Sequence, residues 1–146
     1  MTSAWPYDDG VSPPAPMLPL RLADPAEGAG VLLPALVDTG ADCTLVPAAV
    51  ASRLRLPVVD RIVVAGLGGS ARRAPVHAAV VQVGRLRTLA RVVAFEEETI
   101  VGRDLLNRLI AVLDGPALRL SLRPAGAHRR EPAPRPRLRR RPVRSR

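Results

Sequence analysis

The chain has few residues of several kinds, and each shortage excludes a class of protein. Its single cysteine, Cys43, rules out an internal disulfide, and with only two distant histidines, His77 and His128, a Cys/His zinc cluster is not expected. No apolar run approaches the roughly 20 residues of a membrane helix. The N-terminus lacks the basic start and apolar stretch of a signal peptide. We therefore expect a soluble, cytoplasmic protein without a membrane partner.

Lysine is absent, and the positive charge lies at one end of the chain. The 22 basic residues are all arginine and exceed the 13 acidic residues, which gives a net charge of +9. Residues 1–122 are neutral overall, so the Arg- and Pro-rich residues 123–146 carry the whole excess. This tail has almost nothing to bury, and we interpret it as disordered. It could bind nucleic acid through phosphates, or it is a solvated extension without a specific partner.

Aromatic residues make up only 2% of the chain, so the core must be aliphatic. The 146 residues suffice for one domain. We place a Pro-rich, irregular N-terminal arm at residues 1–17, the folded domain at 18–122 and the disordered tail at 123–146.

Short apolar stretches separated by turn residues predict a mostly β, barrel-like domain with two short helices. The helices are predicted at 47–54 and 103–109. The predicted strands are 18–23, 31–37, 43–46, 58–64, 75–83, 86–95, 99–101, 110–113 and 117–122.

Three motifs carry the candidate chemistry. Residues 35–42 (ALVDTGAD) deliver a carboxylate, Asp38, from an apolar strand into a tight turn, where Gly40 permits close approach of the backbone. Residues 66–70 (GLGGS) form a glycine-rich hairpin tip. In residues 100–106 (IVGRDLL), Gly102 would bring a second stretch of backbone without a side chain beside the first turn.

Together, in this order, the three motifs resemble the retropepsin-like aspartic proteases over residues 18–122. The resemblance implies a closed β-barrel lobe, an aspartic endopeptidase activity on peptide or protein substrates, and no metal or cofactor. Such hydrolysis needs two carboxylates that share one proton. The chain has one Asp-(Thr/Ser)-Gly, so the resemblance implies a homodimer in which the two Asp38 side chains meet at the two-fold axis.

The resemblance also assigns roles to other residues. Thr39, Gly40 and Ala41 would form the active-site turn and lock the two protomers together. Asp42 would bind the substrate backbone through its N–H and pair with Arg103 through its side chain. The expected substrate-binding residues are Asp42, the flap residues Gly66, Leu67, Gly68 and Gly69, and the pocket residue Ile100.

Several alternatives stay open. The fold could serve as a catalytically silent dimeric peptide-binding module, or the protein could act on nucleic acid through its tail. Glu98 could favour a basic side chain in the substrate, although a run of three glutamates is more simply a solvated loop. Cys43 is expected to be a buried core thiol rather than a nucleophile.

Overall fold

The computed structural model describes residues 1–26, 28–65 and 69–125. The flap residues Gly66, Leu67 and Gly68, and residues 126–146 of the predicted tail, lie outside the described residues. The described strands are β1 (Ser3–Pro6), β2 (Met17–Ala23), β3 (Gly30–Val37), β4 (Leu45–Val46), β5 (Val58–Val64), β6 (Arg72–Val83), β7 (Leu86–Ala94), β8 (Ile100–Val101), β9 (Leu109–Asp114) and β10 (Arg119–Pro124). The described helices are α1 (Ala48–Arg53) and α2 (Arg103–Leu106).

The larger sheet curls into a ring. Its strand order is β2-β3-β8-β4-β7-β6-β5, and β2 also pairs with β6, which closes the path from β2 back to itself. The 12-residue β6 makes this possible, because β7 occupies one of its edges while β5 and β2 follow one another along the other. The mostly β fold with two short helices is therefore confirmed. Neither helix of the described chain is long and apolar enough to cross a membrane.

The ring brings distant parts of the chain together where β3 and β8 end. These strands run parallel, with Leu36 opposite Ile100 and Val37 opposite Val101. Strand β4 lies on the other side of β8, because Leu45 pairs with Ile100. The segment after β3, the segment before β4 and the start of α2 must therefore meet at one point.

The core is aliphatic, as the shortage of aromatics predicts. Along β2, alternate side chains point inward, so Leu18, Leu20 and Leu22 are almost fully buried. These leucines pack against the inward-facing side chains of β3, β6 and β7, and against α2. Burial of these side chains provides the main stabilising free energy of the domain.

The prediction that the N-terminal arm is irregular is wrong for part of its length. Residues 3–6 are not irregular: they form β1, which pairs antiparallel with β10, and β10 pairs with β9 in a separate three-stranded sheet. Trp5 packs against the core, and Leu120 and Leu122 of β10 belong to it. The predicted tail also begins too early, since Arg123 and Pro124 belong to β10. The arm and the end of the domain are thus part of the fold.

Other differences concern the ends of elements. Helix α2 makes one turn instead of two, because the backbone from Leu109 onward pairs with β10 as a strand. Strand β4 starts at Leu45 and not at Cys43, and β6 starts three residues earlier than predicted, at Arg72. Strand β5 has the predicted bounds.

Leu20 and Leu32 provide a matched test of this packing. Leu20 is fully buried on β2, whereas Leu32 on the neighbouring β3 is 66% exposed. We expect Leu20→Ala to lower the free energy of unfolding by about 2–5 kcal/mol, because it leaves a cavity in the core. Leu32→Ala should change it by less than about 0.5 kcal/mol. Urea denaturation followed by circular dichroism measures both, and equal effects would contradict the assignment of the core.

Candidate active site

Asp38 follows the last residue of β3 and is held by the backbone around it. Its N–H donates to the carbonyl oxygen of Val101 (3.2 Å), which extends the pairing of β3 with β8 by one residue. Its Oδ1 accepts a hydrogen bond from the N–H of Gly40 (2.8 Å), and its carbonyl oxygen accepts one from the N–H of Ala41 (3.3 Å). The carboxylate is therefore fixed in orientation, half-buried, within a turn whose Thr39 and Gly40 are exposed.

Gly102 is the point where the two motifs touch. A Cβ atom at this position would lie 2.4 Å from the carbonyl oxygen of Cys43 and 2.5 Å from its carbonyl carbon. Both atoms belong to the backbone and cannot rotate away. Only glycine therefore permits this approach, which agrees with the expectation that a second backbone segment without a side chain lies beside the first motif.

Thr44 and Asp104 link the same two segments through side chains. The N–H and the Oγ1 hydroxyl of Thr44 both donate to the carboxylate of Asp104, at 3.1 and 2.8 Å. The Oγ1 of Thr44 also accepts a hydrogen bond from the buried N–H of Gly102 (3.2 Å). Thr44 is fully buried, so this network satisfies polar groups that water cannot reach. Neither Thr44 nor Asp104 stands out in the sequence as a residue of the site.

Arg103 binds the Asp38 turn through both its side chain and its backbone. Its guanidinium contacts the carboxylate of Asp42 and donates through Nη1 to the carbonyl oxygen of Thr39 (2.8 Å). Its backbone N–H donates to the carbonyl oxygen of Ala41 (2.9 Å). The Asp42 side chain is 85% exposed, so the ion pair itself contributes little to stability. Its effect is to hold the turn in position.

Cys43 lies in the bend before β4 and is half-buried, so the prediction that it belongs to a buried strand is wrong. Its side chain nevertheless packs against a small core cluster of β6 and β7 residues. Burial raises the pKa of its thiol, and the negative charges of Asp104 and Asp42 raise that pKa further. The group is consequently a neutral thiol at neutral pH. This is the opposite of what a cysteine nucleophile requires.

The hairpin of β5 and β6 is attached to the loop that precedes β8. Arg72, at the start of β6, contacts the carboxylate of Glu96, and its guanidinium carbon lies 4.9 Å from the centre of the Phe95 ring. Of the expected flap residues, the structure describes Gly69 alone, three residues before Arg72.

Ile100 lies beside Leu36 and lines a pocket of about 440 Å³. Asp42 and Gly69, which were also expected to bind substrate, do not line it. Within the described ranges, no group of three or more His, Cys, Asp or Glu side chains could hold a metal ion.

A carboxylate on an exposed turn, held by two glycine-containing segments of a β-ring, is the arrangement of an aspartic protease lobe. The family model of the gag-polyprotein putative aspartyl protease matches residues 26–108, which include all three motifs. The chain belongs to this family. The resemblance to the retropepsin-like aspartic proteases is thereby confirmed.

Solved structures of such proteins are also similar to the chain. The EIAV protease complexed with the inhibitor HBY-793 is 24% identical, with a TM-score of 0.44, over 64% of this chain and 86% of that one. A retropepsin-like aspartic protease from Rickettsia conorii is 17% identical, with a TM-score of 0.46, over 84% of this chain and 92% of that one. The retroviral protease-like domain of Ddi1 from Leishmania major is 22% identical, with a TM-score of 0.42, over 68% and 82%. No curated protein sequence matches significantly.

Gly102→Ala tests the contact between the two motifs. The added Cβ would overlap the backbone of Cys43, so we expect the free energy of unfolding to fall by about 1–3 kcal/mol or more. Gly115→Ala is the matched control, because a Cβ there meets nothing within 4 Å. Thermal or urea unfolding compares the two, and a Gly102→Ala protein as stable as Gly115→Ala would contradict the contact.

Thr44→Val tests the buried network. The change preserves the shape of the side chain but leaves the N–H of Gly102 without its acceptor, so we expect a loss of about 1–3 kcal/mol in the free energy of unfolding. Thr44→Ser retains the hydroxyl and should lose clearly less. If valine and serine have the same effect, the hydrogen bonds are not what stabilises this point.

Proposed function

We propose that the protein is an aspartic endopeptidase that acts as a homodimer, with Asp38 as its catalytic residue. The observation that carries this proposal is the difference in bonding partners among the carboxylates around the turn. Asp38 is half-buried within an exposed turn and is oriented by the N–H of Gly40, whereas Asp42 contacts Arg103 and Asp104 accepts two bonds from Thr44. Of the three carboxylates near the turn, Asp38 is thus the one that is not bound by another segment.

Peptide hydrolysis by this chemistry requires a second carboxylate. Two carboxylates about 3 Å apart cannot both be ionised, and the pair then shares one proton. The chain contains no second Asp-(Thr/Ser)-Gly, so the partner carboxylate must come from a second copy. A two-fold axis through the turn supplies it, and each copy then contributes the same surface.

The reaction follows from the shared proton. The ionised Asp38 takes a proton from a water molecule, whose oxygen attacks the carbonyl carbon of the peptide bond. The protonated Asp38 of the other protomer gives its proton to the carbonyl oxygen. When the C–N bond breaks, the leaving nitrogen receives a proton from the carboxyl group that had taken one from water, and the other Asp38 takes a proton back from a hydroxyl of the tetrahedral intermediate, which restores the shared proton. The products are a carboxylic acid and an amine.

The remaining predicted roles fit this reaction. Thr39 would bind across the two-fold axis, the carbonyl group of Gly40 and the N–H of Asp42 would hold the peptide backbone, and Ala41 would complete the turn. Gly66, Leu67, Gly68 and Gly69 would form the flap that closes over the substrate and excludes water. Ile100 would be part of the wall of a side-chain pocket.

Asp38→Asn is the direct test. Asparagine cannot take a proton from water, so we expect cleavage of a diverse peptide mixture to fall roughly a thousandfold or more. Asp114→Asn is the matched control, since Asp114 only accepts a hydrogen bond from Ala117 at the surface and asparagine can do the same. Equal activity in the wild type and in Asp38→Asn would refute the assignment.

Dimerisation has its own readout. The specific activity of the wild type should rise with protein concentration where the monomer dominates. Added Asp38→Asn protein should inhibit it, because mixed dimers carry one asparagine. A folded dimer that binds peptides and cleaves none would instead support the peptide-binding module.

A further inference from the structure

We propose that the pocket beside the Asp38 turn selects a basic side chain, arginine or lysine, in the peptide substrate. This inference rests on the proposed function. We call this cavity the acidic pocket. It is defined by the apolar residues Leu33, Leu36 and Ile100 and the acidic residues Asp8, Glu97 and Glu98.

The acidic pocket adjoins the candidate catalytic turn. Side chains alternate along a strand, and the pairing of β3 with β8 continues through the N–H of Asp38. Leu36 and Asp38 therefore face the same side. Ile100 lies opposite Leu36 in the parallel register, so the wall that these two residues form begins two positions before Asp38, which does not itself line the pocket. A substrate side chain close to the scissile bond would enter here.

The size and walls of the pocket suit a long side chain. Its volume of about 440 Å³ lies within the range of roughly 300–1,000 Å³ found for small-ligand sites. Met17, Leu33, Pro34 and Pro47 extend the apolar lining. An arginine or lysine side chain can place its aliphatic stem against such walls while its charged head reaches polar groups at the rim.

The charge of the pocket has one sign. Among the described residues, the charged ones that line it are Asp8, Glu97 and Glu98, and no described arginine does. Over residues 1–122 as a whole, by contrast, arginines and acidic residues balance. A neutral apolar side chain would displace water from these carboxylates without replacing its hydrogen bonds, whereas a guanidinium group supplies them.

The three consecutive glutamates differ in their environment. Glu96 contacts Arg72 and does not line the pocket. Glu97 and Glu98 line it, and within the described part of the chain neither takes part in an ion pair or a hydrogen bond. Asp8 is held by the N–H of Gly10, which donates to its Oδ1 (2.9 Å). The pocket thus presents carboxylates that the chain leaves available for a cation.

Paired peptides test the preference. Arginine is placed in turn at each position around one scissile bond, and each peptide is compared with its glutamine and norleucine analogues. We expect wild-type protein to cleave one arginine peptide with a kcat/KM about tenfold above its neutral analogues. In Glu97→Gln/Glu98→Gln the ratio of these kcat/KM values should fall to about twofold or less.

Glu96→Gln is the control, because it removes one negative charge from the same loop outside the pocket, against two in the double variant. It should retain the preference for arginine. If Glu96→Gln reduces the preference as much as the double variant, the effect is that of general charge, and the proposal is wrong.

A binding measurement separates this proposal from the proposed function. The same arginine, glutamine and norleucine peptides are titrated into the full-length Asp38→Asn protein, with and without the two glutamine substitutions, and fluorescence anisotropy gives Kd. Tighter binding of the arginine peptide that needs Glu97 and Glu98 supports the pocket even if wild-type protein cleaves nothing. Equal affinities for all three peptides would overturn it even if cleavage is observed.

Discussion

The site depends on one contact between backbones, that of Gly102 with Cys43. Strands β3 and β8 can end side by side only if the segments that follow them approach closely, and a single Cβ atom would prevent this. Once the approach is made, the hydrogen bonds of Thr44 and the contacts of Arg103 can form on either side of it. The orientation of Asp38 is therefore a consequence of packing between segments about 60 residues apart.

The parts of the site that sequence reasoning found are those encoded in short, contiguous runs. An apolar strand that leads into Asp-Thr-Gly, and a second that leads into Gly102 and a helix, each describe their own local geometry. Strand β5 was predicted with its observed bounds for the same reason, since its valines and isoleucine are flanked by turn residues. These signals needed no knowledge of the partner strands.

The parts that it missed depend on distant partners. The bond of Thr44 to Asp104 spans 60 residues, and neither residue stands out from its neighbours in the sequence. Strand β1 is short and ends in proline, so its character comes from pairing with β10 and from the packing of Trp5. In the sequence, the three glutamates at 96–98 look alike and indicate a surface loop. Only the structure shows that Glu96 contacts Arg72 while Glu97 and Glu98 line the pocket.

The pairing of β1 with β10 joins residues 3–6 to residues 119–122, nearly the full length of the described chain. Contacts of such long sequence separation form late, because the entropy of closing the loop is lost before they contribute. During synthesis, Trp5 leaves the ribosome long before the strand that covers it exists. Residues 3–6 can thus be placed only after residues 119–122 have been made, and until then a nascent chain exposes an aromatic side chain.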